Sequence, residues 1–320
     1  MRLTFETVNL RTRHAFNIAR EAGAAVRQTV WVRIEDDGVE GWGEAPATPF
    51  YGETADTVSA ILPRLSEAMA RAADGDVFAL ERIETALAHS IGRNPAAAPK
   101  SSFTIGIDSP EVMRRKVREA AEYDILKIKV GTPHDREVLQ MIRDEAPEKT
   151  IRVDANTAWT AKEAIRRIPM LEEFGVEFVE QPLPPDDLEG LRLVRKRSRL
   201  PIIADESCRT AKDVAKLAGA VDGVNIKLAK CGSLREAIRI VHAARAHGMS
   251  VMIGCMVEST LGIAAAVPIT PLVDYADLDG AALLADDPFL GPGIEGDGRM
   301  RFSDEPGLGV SRANEGRTGA

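Results

Sequence analysis

Charged residues close a run of short apolar segments at nearly constant intervals. Lys129 ends LKIK, Asp154 ends IRVD, Glu180 ends VEFVE, Asp205 ends IIAD and Lys227 ends NIK, at separations of 25, 26, 25 and 22 residues. A strand with its crossover helix and loops occupies about that length in a parallel (β/α) barrel. The strands expected from Ser101 onward are SFTIGI, ILKIKV, TIRVD, VEFVE, PIIAD, GVNIK, SVMIG and DYADLD, with amphipathic segments between them. In SPEVMRRKVREAAEY, Ser109 stands at a cap and Pro110 at the first helical position. Eight strands separated by single helices predict an α/β barrel, with a doubly wound open sheet as the competing architecture.

The first hundred residues follow a different pattern. In QTVWVRIEDDGVEGWGEA, Val30, Val32 and Ile34 alternate before Asp37-Gly38, which predicts two strands joined by a tight turn. Val58, Ile61, Leu62 and Leu65 then recur at helical spacing. The expected organisation is an α+β module over residues 1–100 and a barrel over 101–285. The Gly- and Pro-rich segment 286–320 is expected to return to the first module, its glycines serving turns, and SRANEGRTGA is expected to be a disordered tail.

At 320 residues and a net charge of −8, the chain can bury a full core. The acidic balance argues against nucleic acid or an anionic membrane as the main partner. No apolar run approaches the roughly 20 residues of a membrane span, and MRLTFETVNLRTRH lacks a secretory apolar core. Cys208, Cys231 and Cys255 form no C-x-x-C pair, so a reduced, cytoplasmic setting is expected. A homo-oligomer is the expected assembly. There is no H-E-x-x-H, no G-x-x-x-x-G-K-[ST] and no strand-led G-x-G-x-x-G, which leaves zinc-protease and nucleotide chemistry without support.

The charged strand ends carry the chemistry. The C-terminal ends of barrel strands surround one mouth, so Asp154, Glu180 and Asp205 should converge there. Three carboxylates brought together disfavour one another unless a cation relieves them, and all-oxygen ligation suits Mg²⁺ or Mn²⁺. Lys127 and Lys129, at i and i+2 on one strand, share a face, and Lys227 approaches from across the barrel. Crowding among cations lowers a lysine's pKa, so these amines are expected to serve as bases near neutral pH. Two lysines on opposite sides of one carbon suit a racemase or epimerase. Taken singly, an acid at a strand end is usually a helix cap or a solvated loop group, and a Lys-x-Lys the exposed side of an edge strand. Three acids on successive strands, with lysines on the strands before and after, are poorly explained that way.

These residues, in the stretches LKIKVG, RVDANTAW, VEQPLPPDDLEGL, PIIADES, VNIKLAKCGSLREA, IGCMVESTLGIAAA and ADLDG, resemble the enolase superfamily. The resemblance lies with the muconate-lactonizing subgroup and, within it, the dipeptide epimerases of the L-Ala-D/L-Glu type. GWGEAP and FYGET resemble the capping domain of that family. The resemblance implies a modified TIM-type barrel, (β/α)7β, with an N-terminal α+β capping domain completed by the C-terminal segment. A lysine or histidine base and Mg²⁺ stabilising an enediolate are general features of that superfamily rather than a result from this chain.

By resemblance, Asp154, Glu180 and Asp205 bind Mg²⁺, Lys129 and Lys227 are the two bases, and Lys127 adds positive charge beside the enediolate. Asn156 and Asn225 support the ligands, with neutral packing as the alternative. Asp277 and Asp279, at i and i+2 in ADLDG, receive the α-ammonium of a dipeptide. Arg20, in FNIAR, contacts a glutamyl side chain, with an exposed surface arginine as the alternative. Glu258, in MVES, lines the substrate site in a role left open. The alternative activities are an o-succinylbenzoate synthase or N-acylamino acid racemase, and a non-catalytic metal-binding scaffold. One departure stands out: the family carries a further amphipathic helix where this chain has only IGRNPAAAPKSSF between capping module and barrel.

Overall fold

The fold is seen in a computed structural model, which describes residues 2–20, 23, 25–71, 95–305 and 307–313. The junction IGRNPAAAPKSSF, where the family carries a further helix and this chain is expected to lack it, begins within residues 72–94, which lie outside the described residues, as do 314–320. Its described part holds a single 3-10 turn, Pro95–Ala97.

The N-terminal module is a three-stranded antiparallel sheet, β1 (Arg2–Arg11), β2 (Val26–Asp36) and β3 (Val39–Pro46), in that order. Asp37 and Gly38 both take positive φ, 47° and 80°, as a two-residue hairpin turn matched to strand twist requires. β1 was not among the expected strands. Its faces alternate poorly, and Phe5 stays 39 % exposed. Helix α1 (Ala55–Arg71) lays Val58 and Leu62 against Val30 and Val32 of the sheet. Ile61, expected on the same stripe, is instead exposed, and the Leu65 side chain lies outside the described residues.

The rest is a sequential eight-stranded parallel sheet. Its strands are β4 (Phe103–Ile105), β5 (Ile125–Lys129), β6 (Thr150–Asp154), β7 (Val176–Glu180), β8 (Ile202–Ala204), β9 (Gly223–Lys227), β10 (Ser250–Gly254) and β11 (Tyr275–Asp277). A parallel bridge from Ser101 to Ala276 brings the first and last strands together, so the sheet is a barrel and not a doubly wound sheet. Helices α2 (Pro110–Glu119), α3 (Asp135–Glu145), α4 (Ala161–Glu173), α5 (Leu188–Arg197) and α6 (Ala211–Leu217) fill the first five crossovers. The one-turn α7 (Leu228–Cys231) with α8 (Leu234–Ala246), and then α9 (Thr260–Ala266), fill the last two. Ser109 caps α2 through Val112 N–H, with Pro110 first in the helix.

Strand alternation sorts the core. Ile128, Val153 and Val179 face outward under the helices, while Lys127, Lys129, Asp154 and Glu180 face inward. Deeper in the barrel Phe178, Ile203 and Met252 form a small apolar plug with Tyr275. Arg152 lies over the rings of Phe178 and Tyr275, at 5.2 and 5.0 Å.

In the C-terminal segment, β12 (Phe289–Leu290) pairs with β15 (Ser311–Arg312), and β13 (Gly293–Ile294) with β14 (Met300–Arg301). Ser311 and Arg312 thus lie in a strand rather than in the expected disordered tail, because their backbone groups are taken up by Leu290 and Phe289. Phe289 meets Trp31 edge-on at 4.8 Å, within a cluster that includes Leu10, Leu261 and Leu284. Among the described residues no helix is long and apolar enough to cross a membrane.

Candidate active site

Parallel register places the charged strand ends side by side. Lys129 pairs with Asp154 across β5 and β6, Asp154 with Glu180 across β6 and β7, and Lys227 with Gly254 across β9 and β10. Asp205 stands just past β8. One carboxylate oxygen each from Asp154, Glu180 and Asp205 lies within 4.8 Å of the others, and all three residues are buried.

The lysines are bound into this cluster. Lys129 Nζ is 2.7 Å from Asp154 Oδ2 and Lys227 Nζ is 2.8 Å from Asp205 Oδ2. Lys127 Nζ reaches Asp277 Oδ2 at 2.5 Å, Glu180 Oε2 at 3.0 Å and Asp154 Oδ2 at 3.4 Å. The expectation that crowding depresses the lysine pKa values is overturned for Lys127 and Lys227. Burial alone would lower both, but Asp277 and Glu180 at Lys127, and Asp205 at Lys227, outweigh it and hold these amines above the ordinary lysine value. Carboxylates, not other cations, are their nearest neighbours.

The acids divide in consequence. Burial opposes ionisation of Asp205, but Lys227 and Lys230 draw it well below the usual carboxylate range. Asp154 is drawn down by Lys129 and Lys127 against the same burial. Glu180 is pushed up by burial and then by Asp154. Its Oε1 accepts from Asn225 Nδ2 at 2.7 Å, whereas Oε2 makes no hydrogen bond among the described residues and has only the ion-pair contact with Lys127 Nζ at 3.0 Å. A buried carboxylate oxygen without a hydrogen bond, in an all-oxygen cluster of three acids, fits a hard divalent cation. Asp154, Glu180 and Asp205 would hold it.

Asn156 N–H donates to Asp154 Oδ1 at 2.9 Å, and its Nδ2 to Glu206 Oε1 at 3.3 Å. Asn156 and Thr157 take φ of 44° and 70°, a left-handed turn at the end of β6 that is unusual for threonine. A side chain at Gly254 would meet Asn225 at 2.9 Å, so the absence of a Cβ there leaves room for the asparagine behind Glu180.

Asp277 and Asp279 are both buried at the end of β11. Ser102 Oγ donates to Asp277 Oδ1 at 2.6 Å, and Thr104 N–H to Asp279 Oδ2 at 2.6 Å. Asp277 is thus also committed to Lys127, while burial and Asp277 push the carboxyl of Asp279 upward.

Arg20 comes from the loop between β1 and β2. Its Nη1 donates to Asn156 O at 3.0 Å and Glu206 Oε1 at 2.5 Å, and its guanidinium lies 3.9 Å from the centre of the Phe50 ring. It is therefore a held group and not a free surface arginine. Glu258 is buried, accepts from Met256 N–H at 2.7 Å, and is pushed up to about 7 by burial and Glu44. Glu44 of β3 accepts hydrogen bonds from Ser259 N–H and Oγ, which ties the N-terminal sheet to the barrel rim.

Several residues at the mouth escaped the reading of the sequence. Gln181 Oε1 accepts from the N–H groups of Asp205 and Ser207, at 2.8 and 3.1 Å, locking one strand end to the next. Lys230 holds Asp205 Oδ1 at 2.6 Å. Tyr51, in the FYGET stretch, is raised above its ordinary pKa by burial and by Asp205. Only adjacency to a strand-end charge, as in EQP, DES and IKLAK, marks Gln181, Glu206 and Lys230 in the sequence.

Comparison with known proteins agrees with this geometry. Residues 112–315 match the family described as enolase C-terminal domain-like. An L-Ala-D/L-Glu epimerase of Bacteroides thetaiotaomicron is 37 % identical, over 98 % of this chain and 88 % of its own. The substrate-liganded L-Ala-D/L-Glu epimerase of Bacillus subtilis superposes with a TM-score of 0.85 at 28 % identity, covering 97 % of this chain and 98 % of that one. The dipeptide epimerase of Enterococcus faecalis, complexed with Mg and L-Leu-L-Tyr, does so at 0.84 and 31 %, covering 97 % and 99 %. The chain belongs to the enolase C-terminal domain-like family and, within it, to the dipeptide epimerases.

Proposed function

We propose that this chain is a Mg²⁺-dependent epimerase that inverts the α-carbon of the C-terminal residue of a dipeptide, Ala-Glu-like substrates included, with Mn²⁺ as an alternative ion. The observation that carries the reading is the attachment of Lys129 and Lys227 to different members of one acidic trio, Asp154 and Asp205. β5 and β9, which bear them, stand four strands apart around the barrel.

When bound, the cation would supply positive charge beside the substrate carboxylate as negative charge develops there. The chain's own groups do the rest. One lysine, as a neutral amine, takes the α-proton as the C–H bond breaks. The other, as an ammonium, returns a proton to the opposite face, and in the reverse direction the two exchange roles. Drawing Asp205 toward a cation would free Lys227 from the pair that keeps it charged. Lys127 holds a fixed positive charge between Asp277 and the trio. Asp277 and Asp279 would receive the substrate α-ammonium, which offers three donors and a full charge.

Asn225 and Asn156 would keep Glu180 and Asp154 oriented. Arg20 would meet an acidic side chain of the epimerised residue, and Glu258 would line the rim. In this proposal the 1–100 module with 286–320 caps the mouth of the 101–285 barrel. A cytoplasmic homo-oligomer belongs to the same reading; the free state of all three cysteines supports the compartment.

The test is α-proton exchange. L,L-dipeptides incubated in D₂O with Mg²⁺ should gain deuterium at the C-terminal α-carbon and form the L,D product, followed by NMR. Absence of exchange across a broad dipeptide library, or exchange confined to N-succinyl amino acids, would end the proposal.

A further inference from the structure

Asp205 is gripped by two lysines three residues apart, and the grips differ. Lys230 Nζ lies 2.6 Å from Oδ1 and 2.5 Å from the main-chain oxygen of Asp205, and 2.9 Å from the carbonyl oxygens of both Cys208 and Asn225. Its side chain is 1 % exposed. An ammonium has three N–H donors, so four surrounding oxygens saturate it entirely within the protein. Lys227 Nζ makes a single hydrogen bond among the described residues, to Asp205 Oδ2, from a side chain 8 % exposed.

Local backbone explains how both amines reach one carboxylate. Lys227 is the last residue of β9 and caps α7, and Lys230 sits three positions on, on the same side of that single turn. Gly232, at φ 82°, ends the turn with its N–H on Leu228 O.

We propose that Lys230 is a positioning residue that locks Asp205 through Oδ1 and the main chain, so that Oδ2 alone is offered to a divalent cation and Lys227 is the partner that gives way. Three carbonyl contacts hold Lys230 in place whatever happens at Oδ2, whereas Lys227 has only Oδ2 to lose. This rests on the metal reading above.

Coulomb's law and positioning predict opposite signs for one substitution. Removing either ammonium relieves repulsion of an incoming cation, so charge alone makes both Lys227→Met and Lys230→Met bind metal more tightly. Positioning requires the reverse for Lys230→Met: a loss of about 10-fold or more, as for other groups that orient metal ligands. Lys227→Met should match or exceed wild type. The experiment titrates the full metal-free chain with Mn²⁺ alone, reading free ion by electron paramagnetic resonance, with circular dichroism to confirm folding. Should Lys230→Met not fold, Lys230→Gln, whose shorter and uncharged amide cannot bridge Oδ1 and the three carbonyl oxygens together, is read in its place and should weaken binding in the same direction. Wild-type or tighter affinity in a folded Lys230 variant overturns the proposal, as does equal weakening in Lys227→Met. A wild-type chain that binds no Mn²⁺ overturns the metal reading as well, which separates the two failures.

Discussion

Lys127 Nζ meets Asp277 Oδ2 at 2.5 Å although 150 residues separate them, and the pair spans the seam where the first and last barrel strands come together. Both side chains are almost wholly inaccessible, at 2 % and 5 % exposure. The same ammonium also faces Glu180 and Asp154. Lys127→Met would leave buried carboxylates facing one another, and a buried pair broken from one side costs about 3 to 5 kcal/mol. Urea unfolding of the metal-free variant should show that loss, and stability equal to wild type would mean that the pair carries no net weight.

Metal binding should appear as stability. Mg²⁺ at about 100 times its dissociation constant should stabilise the native chain by about 2.7 kcal/mol, read as a rise in melting temperature that EDTA reverses. Glu180→Gln removes the carboxylate whose Oε2 has no hydrogen bond among the described residues beyond its ion-pair contact with Lys127, and that variant should lose most of the Mg²⁺-dependent rise. An undiminished rise in it would place the cation elsewhere.

Each base should be separable from its partner. Lys129→Met and Lys227→Met should each abolish interconversion of L,L- and L,D-dipeptides, with losses of at least about 10²-fold. Each should keep α-deuterium exchange for only the diastereomer whose proton faces the remaining lysine. Exchange of both diastereomers by either variant would argue against a base on each side.

Asp279→Asn should raise KM for dipeptides by tenfold or more, on the order of the 1.4 kcal/mol that one charge-assisted contact is worth. Turnover of an N-succinyl amino acid, which has no ammonium, should change little. Equal effects on both substrates would remove Asp279 from ammonium recognition.

Glu258 supplies a pH signature. Its carboxyl is raised from an ordinary 4.5 to about 7, first by burial and then by Glu44. The folded state therefore binds the extra proton between those values, and stability falls as pH rises through that window, by about 3 kcal/mol in all. Below pH 4.5 both states are protonated and the effect vanishes. Glu258→Gln should thus match wild type at pH 4.5 and gain on it up to pH 7, in urea titrations of metal-free protein. A difference that does not vary with pH would refute the assignment.

Much of the barrel was legible because each strand carries its own signal. Outward positions such as Ile128, Val153 and Val179 must be apolar to sit under helices, and a charge stands at or just past the end of each strand from β5 to β9. The hairpin at Asp37-Gly38 was legible for a similar reason, since few residues accept positive φ twice in succession. β1 and β15 were not. Their strand character depends on partners, β2 and β12, that supply the backbone hydrogen bonds.

The amino-acid order by itself determined which side chains would stand at the strand ends and that acids and lysines would share one mouth, because alternation along a strand and one crossover per unit leave little choice. Only the tertiary structure decided who holds whom. Lys230 on Asp205, Ser102 on Asp277, Arg20 on Glu206 and carboxylates keeping Lys127 and Lys227 charged all depend on distances of a few ångströms between segments remote in the chain or turned by a single helical turn. Ionic and hydrogen-bonding partnership falls off over such distances, and no local pattern of residues encodes it.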